Sequence, residues 1–229
     1  MKILFKYPTR ARFGWFKKTL QTYYDMLSDK ADFEFVITCD SDDDDMMQHS
    51  ALNFMEEFRF LRYFFGNHKS KIEACNANVP TTPWDILVLV SDDMIPIVKD
   101  FDKRIVKDMI QYFPDTDGCL FYDDGLFSKD NTCTLSIIGR KYYERFGCVY
   151  HPDYKSFCCD NEFTLVARAL GKMQYIPDVT IKHEWSGGPR SDDALYRRNS
   201  AMGKPDEATF ARRRALNFDL KGDYVFPER

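Results

Sequence analysis

Hydrophobic and polar positions alternate in blocks along this chain, and the blocks switch between two periods. Residues 2–7 read as a short buried strand, stopped by Pro8 and followed by the polar turn Thr9-Arg10-Ala11-Arg12 and a helical stretch over 14–27. A second strand over 33–39 runs directly into Asp40-Ser41-Asp42-Asp43-Asp44-Asp45. Apolar residues at Met47, Ala51, Phe54, Phe58, Leu61 and Phe65 then predict one face of a long helix. The pattern continues with strands over 71–75 and 86–90, the latter ending in Ser91-Asp92-Asp93 before Pro96. It predicts a helix over 101–112, strands over 118–122 and 133–138, and a helix over 160–170. Strands alternating with helices imply an α/β fold with a mainly parallel central sheet flanked by helices. From Ser186-Gly187-Gly188-Pro189-Arg190 onward the chain turns polar and Arg-rich, which predicts a C-terminal helical extension with little core material.

Composition narrows the class. With 229 residues the chain holds one large domain, and 44% hydrophobic and 16% aromatic content is enough for a sizeable core. The net charge of −4 gives no overall attraction to nucleic acid or anionic membrane. Seven cysteines without a C-x-x-C suit reduced thiols in a cytoplasm better than a disulfide framework. The longest aliphatic run, residues 86–90, is far short of a bilayer span, so no stable membrane insertion is expected.

In open α/β sheets ligands bind beyond the carboxyl ends of the strands, where Pro8 to Arg12, Asp40 to Asp45 and Ser91 to Asp93 all fall. The acidic run is no EF-hand, because Asp45 and Ala51 stand where that loop needs Gly and Glu. Asp42 to Asp45 suit a helix N-terminus, which leaves Asp40 as the functional candidate of the run. Asp92 and Asp93, pinned together at the end of an apolar strand, repel one another unless a cation offsets their charge. Hard carboxylate oxygens favour Mg²⁺ or Mn²⁺, which keep water and bridge to substrate phosphates. Neither a Walker A sequence nor G-x-G-x-x-G is present.

The order Pro8-Thr9-Arg10, strand-ending Asp40, Lys71-Ile72-Glu73-Ala74-Cys75-Asn76, and Trp84-Asp85-Ile86-Leu87 leading into Ser91-Asp92-Asp93 resembles the GT-A glycosyltransferases, especially family-2-like inverting members. The likeness runs to about Trp185, so residues 1–185 would be the GT-A (Rossmann-like) domain and 186–229 a flexible lid segment and helical extension. It implies a nucleotide-sugar donor, UDP-linked by preference, with Asp40 on the base and Pro8, Thr9, Arg10, Arg12, Asn76 and Asp92 among the donor-binding residues. Arg10 and Arg12 either reach the nucleotide phosphates or are solvated turn residues. The metal, Mn²⁺ or Mg²⁺, falls by resemblance to Asp93, Asp92 and His183. The family's D-x-D is here Ser91-Asp92-Asp93, so its first acid is absent. In Cys159-Asp160-Asn161-Glu162-Phe163, Asp160 resembles the base that activates the acceptor hydroxyl, with Glu162 its competitor and helix capping the structural alternative. Trp185 is open between sugar stacking and packing, and Gly187-Gly188 between a closing lid and an exit turn.

The activity implied is metal-dependent transfer of a sugar to an acceptor hydroxyl with inversion. Two rivals stand beside it: nucleotidyl transfer, and a catalytically inactive module that binds a glycan or nucleotide. A glycan, a lipid-linked sugar, a protein side chain and a hydroxylated DNA base all fit as acceptor. The cluster Arg212 to Arg214 reads either as a contact for a phosphate-bearing acceptor or as one polar face of a helix.

Overall fold

The computed structural model describes residues 1–126, 129–184, 194–222 and 224–227, with Ala194 and Tyr196 by their backbone alone. Strand β1 (Ile3–Pro8) sends Ile3, Phe5 and Tyr7 into one core and Leu4 into the other, as a period of two requires. Helix α1 (Phe13–Met26) covers the first face with Phe16, Leu20 and Tyr23. After β2 (Phe33–Asp40) come the short helices α2 (Asp44–Met47) and α3 (His49–Glu56), then β3 (Leu61–Gly66) and α4 (Lys71–Asn76). The middle of the chain forms β4 (Ile86–Leu89), β5 (Met94–Pro96), α5 (Phe101–Tyr112), β6 (Cys119–Tyr122), β7 (Ile137–Gly139) and α6 (Arg140–Phe146). It closes with α7 (Cys159–Ala169), β8 (Met173–Ile176), β9 (Ile181–His183), α8 (Ala194–Ser200) and α9 (Gly203–Ala215).

Among the described residues seven strands make one sheet in the order β3-β2-β1-β4-β7-β6-β8. The first four are mutually parallel, β7 runs against both its neighbours, and β8 is parallel to β6. The chain therefore winds outward from β1 through β2 to β3 and returns on the other side of β1 at β4. That reversal opens a crevice at the carboxyl ends of β1 and β4. A separate antiparallel ribbon pairs β5 with β9 and sets Met94 opposite His183, which carries a late residue to the end of β4. The core between the sheet, α1 and α5 is aromatic, with the Phe5 and Phe35 rings stacked at 4.5 Å and Tyr23 and Phe101 against them. Each such buried ring contributes about 1.5–3 kcal/mol.

Two elements differ from the periodicity reading. The long helix expected through Phe65 stops at Glu56, and Leu61–Gly66 is a strand. Phe58, Leu61 and Phe65 fit helical spacing, but Leu61, Tyr63 and Phe65 also alternate, and six ladder partners on β2, from Phe35↔Leu61 to Asp40↔Gly66, decide for the strand. Residues 71–75, expected as a strand, belong to α4. A capping box starts it: Ser70 Oγ accepts from Glu73 N at 3.1 Å, and Glu73 Oε2 accepts from Lys69 N at 2.8 Å. Of the strand expected over 133–138, only the end is in β7, and β5, α6 and β8 were not anticipated. The C-terminal extension is helical, yet it carries core residues, since Phe210 and Phe218 are buried in the second core beside α7.

All seven cysteines are free thiols, and all but Cys148 are buried. Among the described residues no helix is long and apolar enough to cross a membrane. Gly139, where β7 passes into α6, lies against the loop before β6: a Cβ there would sit 2.2 Å from the Thr116 carbonyl oxygen. Gly139→Ala is expected to lose about 1–3 kcal/mol by overpacking, read as a lower denaturant midpoint. An unchanged midpoint would mean that the 113–118 loop moves aside without cost.

Candidate functional site

A cleft of about 510 Å³ lies at the crevice between β1 and β4. One wall comes from the ends of β1, β2 and β4; the other comes from the start of α4, the loop 155–157, the first turn of α7 and helix α8. Pro8, Thr9, Arg10, Arg12, Asp40, Asp92, Asp93, Asp160 and His183 all line it.

The loop after β1 is held down by the acidic run after β2. Asp43 accepts from Ala11 N at 2.8 Å and caps α2 through Met46 N at 3.3 Å, and Asp45 accepts from Phe13 N at 2.7 Å. Arg10 donates to Asp40 at 2.5 Å and grips both oxygens of Asp42 at 2.5 and 2.9 Å. Its guanidinium is thus bound to carboxylates at the β2 end of the cleft. The other oxygen of Asp40 meets His68 Nδ1 at 2.8 Å, so Asp40 is fixed between a guanidinium and an imidazole. Arg12 lines the cleft, and its charge acts on Asp92.

The neighbouring acids Asp92 and Asp93 occupy different environments. Asp92 turns inward, 6% exposed, and accepts from Tyr7 Oη at 2.8 Å and Thr9 Oγ1 at 3.2 Å. Burial lifts its pKa to about 7, with the Asp93 charge adding to the shift and the Tyr7 hydrogen bond opposing it. Asp93 takes a hydrogen bond from Ser91 Oγ at 2.5 Å and lies 3.7 Å from His183 Nε2, an ion-pair distance. Burial opposes its charge, but His183, Ser91 and Lys71 prevail and hold it well below the usual carboxylate range. His183 Nδ1 is 3.4 Å from Asp124 Oδ2, and its backbone N–H donates to Asp124 O at 2.8 Å. Burial works against the imidazolium, yet Asp124 and Asp93 together raise its pKa to about 9.

Asp93 and His183 are the donor types that Mn²⁺ or Mg²⁺ accepts when phosphates and water complete its shell, provided His183 gives up its proton. Asp92, expected as a further ligand, has its carboxylate hydrogen-bonded by Tyr7 and Thr9. Among the described residues no group of three or more His, Cys, Asp or Glu is placed to hold a metal ion.

On the opposite wall, the cap position of α7 belongs to Cys158, in the left-handed region at φ 61° and without a side-chain cap bond. Asp160 lies within the first turn, lines the cleft, and accepts from Asn161 N at 2.9 Å. The other two candidates lie away from the cleft. Asn76 spends its amide on Val149 N, Tyr150 N and Tyr150 O, at 2.9, 3.1 and 2.7 Å. Glu162 is buried in a two-pronged ion pair with Arg213, both bonds 2.7 Å, and also accepts from Tyr154 Oη at 2.7 Å. The basic cluster is likewise committed: Arg212 binds Asp153, and Arg214 donates to the carbonyls of Phe226 and Pro227. Trp185 and the Gly187-Gly188 segment lie outside the described residues.

Three residues of the site carried no role in the sequence reading. His68 and Asp124 have signals only in space, as partners of Asp40 and His183. Lys71 opens α4 and reaches into the cleft. Its pKa is raised, burial opposing the shift and the neighbouring Cys75, Cys159, Asp93 and Asp160 favouring it.

No family model matches the sequence, and no curated protein matches it. Solved structures do match. The mannosyltransferase PcManGT from Pyrobaculum calidifontis, in complex with GDP-Man and Mn²⁺, superposes with a TM-score of 0.67 at 15% identity over 91% of this chain and 64% of that one. S. aureus TarS 1–349 in complex with UDP-GlcNAc gives 0.64 at 16% identity over 84% of this chain and 61% of that one. The same TarS fragment with UDP gives 0.64 at 14% identity, covering 97% and 76%. The chain thus spans less than two thirds of PcManGT and of the UDP-GlcNAc-bound TarS fragment. These likenesses establish the fold.

Proposed function

From the GT-A fold as premise, we propose that this chain transfers a sugar from a nucleotide diphosphate, UDP-linked by preference, to an acceptor hydroxyl with inversion. The observation that carries the reading is that the Asp93–His183 pair and Asp160 line one cleft at the sheet's crevice. PcManGT holds GDP-Man with Mn²⁺ and TarS holds UDP-GlcNAc, which supports a nucleotide sugar as donor.

Each residue then has a task. Asp40, fixed by Arg10 and His68, accepts a hydrogen bond from the nucleobase. Asp93 and His183 would hold Mn²⁺ or Mg²⁺, which supplies positive charge to the departing diphosphate. Asp124 keeps His183 in place, the usual office of a carboxylate behind a ligating imidazole. Lys71, which lines the cleft, brings an ammonium to the phosphates. Asp160 takes the acceptor proton as the hydroxyl attacks the anomeric carbon from the face opposite the diphosphate. Residues 1–185 would form the transferase unit, and helix α8 of the C-terminal extension lines the cleft with Leu195, Arg198 and Asn199.

A melting series with UDP, GDP, UDP-GlcNAc and GDP-mannose, each with and without Mn²⁺, tests the donor. A ligand at 100 times its Kd stabilises by about 2.7 kcal/mol, so the matching nucleotide should raise Tm by roughly 5–10 °C, and more with Mn²⁺ than without. Turnover should release a nucleoside diphosphate. Release of pyrophosphate would instead establish nucleotidyl transfer.

A further inference from the structure

The far wall of the cleft is tied to the C-terminal extension by one carboxylate. Asp206, in the first turn of α9 and 1% exposed, accepts from three successive backbone amides, Lys155 at 2.9 Å, Ser156 at 2.7 Å and Phe157 at 2.7 Å. Lys155, Ser156 and Phe157 all line the cleft, immediately before Cys159 and Asp160. Charge-assisted bonds of this kind are stronger than neutral ones, and three on one carboxylate fix both position and orientation of the loop. The loop is also joined to the other side, because the Lys155 carbonyl accepts from Ile72 N at 3.3 Å, next to Lys71. One peptide unit therefore links α9 to the start of α4.

We infer that Asp206 is a positioning residue for the proposed transfer: it sets the acceptor-side wall of the cleft by holding loop 155–157, so the C-terminal helix is part of the working geometry. The inference rests on the glycosyl-transfer reading for its kinetic consequence, but the clamp itself is read independently. Asp206 hydrogen-bonds to none of Thr9, Asp40, Asp93 or Lys71, and its nearest link to them is the Lys155 carbonyl on Ile72 N, so its loss falls mainly on turnover and only slightly on donor KM. A displacement of about 1 Å in a reacting group costs on the order of 100-fold in rate.

The test compares wild type with Asp206→Asn, which keeps the size but offers a single acceptor oxygen. Amide exchange at residues 155–157 and steady-state release of nucleoside diphosphate from UDP-GlcNAc and GDP-mannose are measured side by side. Expected are faster exchange confined to 155–157 and a fall in kcat of roughly 10- to 100-fold with donor KM within about twofold. A merely structural role would lower Tm without that split. Unchanged kcat, or unchanged exchange, overturns the inference. Should Asp206→Asn not fold, Ser156→Pro removes one amide donor without touching α9 and is expected to give the same kcat loss; normal turnover in it is equally fatal. If wild type releases no diphosphate from either donor, the transfer reading falls, and exchange in Asp206→Asn alone decides whether the clamp exists.

Discussion

Asp160→Asn is expected to lower sugar transfer by roughly 10² to 10⁴-fold, the contribution of a positioned general base. The substitution keeps the side chain's size and leaves an oxygen for the Asn161 amide it now bonds at 2.9 Å. Melting temperature and the nucleotide-dependent Tm increment should stay close to wild type, because Asp40, Asp93 and His183 are unchanged. Initial rates of nucleoside diphosphate release at saturating donor check this. Glu162→Gln is the control, since its carboxylate is spent on Arg213 and its loss should appear in stability before turnover. Undiminished transfer by Asp160→Asn would move the base elsewhere.

The second large effect concerns folding. Arg213, 4% exposed, binds both oxygens of Glu162 and reaches Asp219 at 2.9 Å, in a region where Tyr154 and Phe218 are also buried. Its guanidinium is held even more firmly protonated than usual, burial being outweighed by the bonds to Glu162 and Asp219. Arg213→Ala strands the Glu162 carboxylate without a counter-charge, which costs about 3–5 kcal/mol. For a chain of this length that is a drop in Tm of roughly 6–20 °C. The double variant Glu162→Gln with Arg213→Met removes both charges while leaving Tyr154 an acceptor, and should recover most of the loss. If Arg213→Ala melts with wild type, the ion pair contributes nothing and α9 is held by the Asp206 bonds and its apolar contacts.

The parallel half of the sheet was legible because β1, β2 and β4 are short, strongly apolar runs ended by Pro8, Asp40 and Ser91, and their carboxyl ends locate the crevice. β3 was not, since Leu61 and Phe65 satisfy a helical and a strand period at once and only the ladder with β2 separates them. In α4 the deciding signal was the Ser70 and Glu73 box, four residues that the apolar pattern passes over. The site divides in the same way. Residues bound to strand ends, such as Asp40 and Asp93, can be placed from local sequence. Roles fixed by distant partners cannot: Glu162 meets Arg213 across 51 positions, and Asn76 meets Val149 across 73. Asp92 and Asp93 look equivalent in sequence, and only the direction of each side chain, toward Tyr7 or toward His183, tells them apart.

The two walls of the cleft have unlike ancestry in the architecture. The side bearing Asp40 and Asp93 is woven into the parallel strands, where a changed residue disturbs the central sheet. The side bearing Asp160 hangs from loop 155–157 and a helix close to the C-terminus, fastened through a handful of polar bonds. A change in that flank would therefore alter the proposed acceptor side while leaving the strand-borne residues in place.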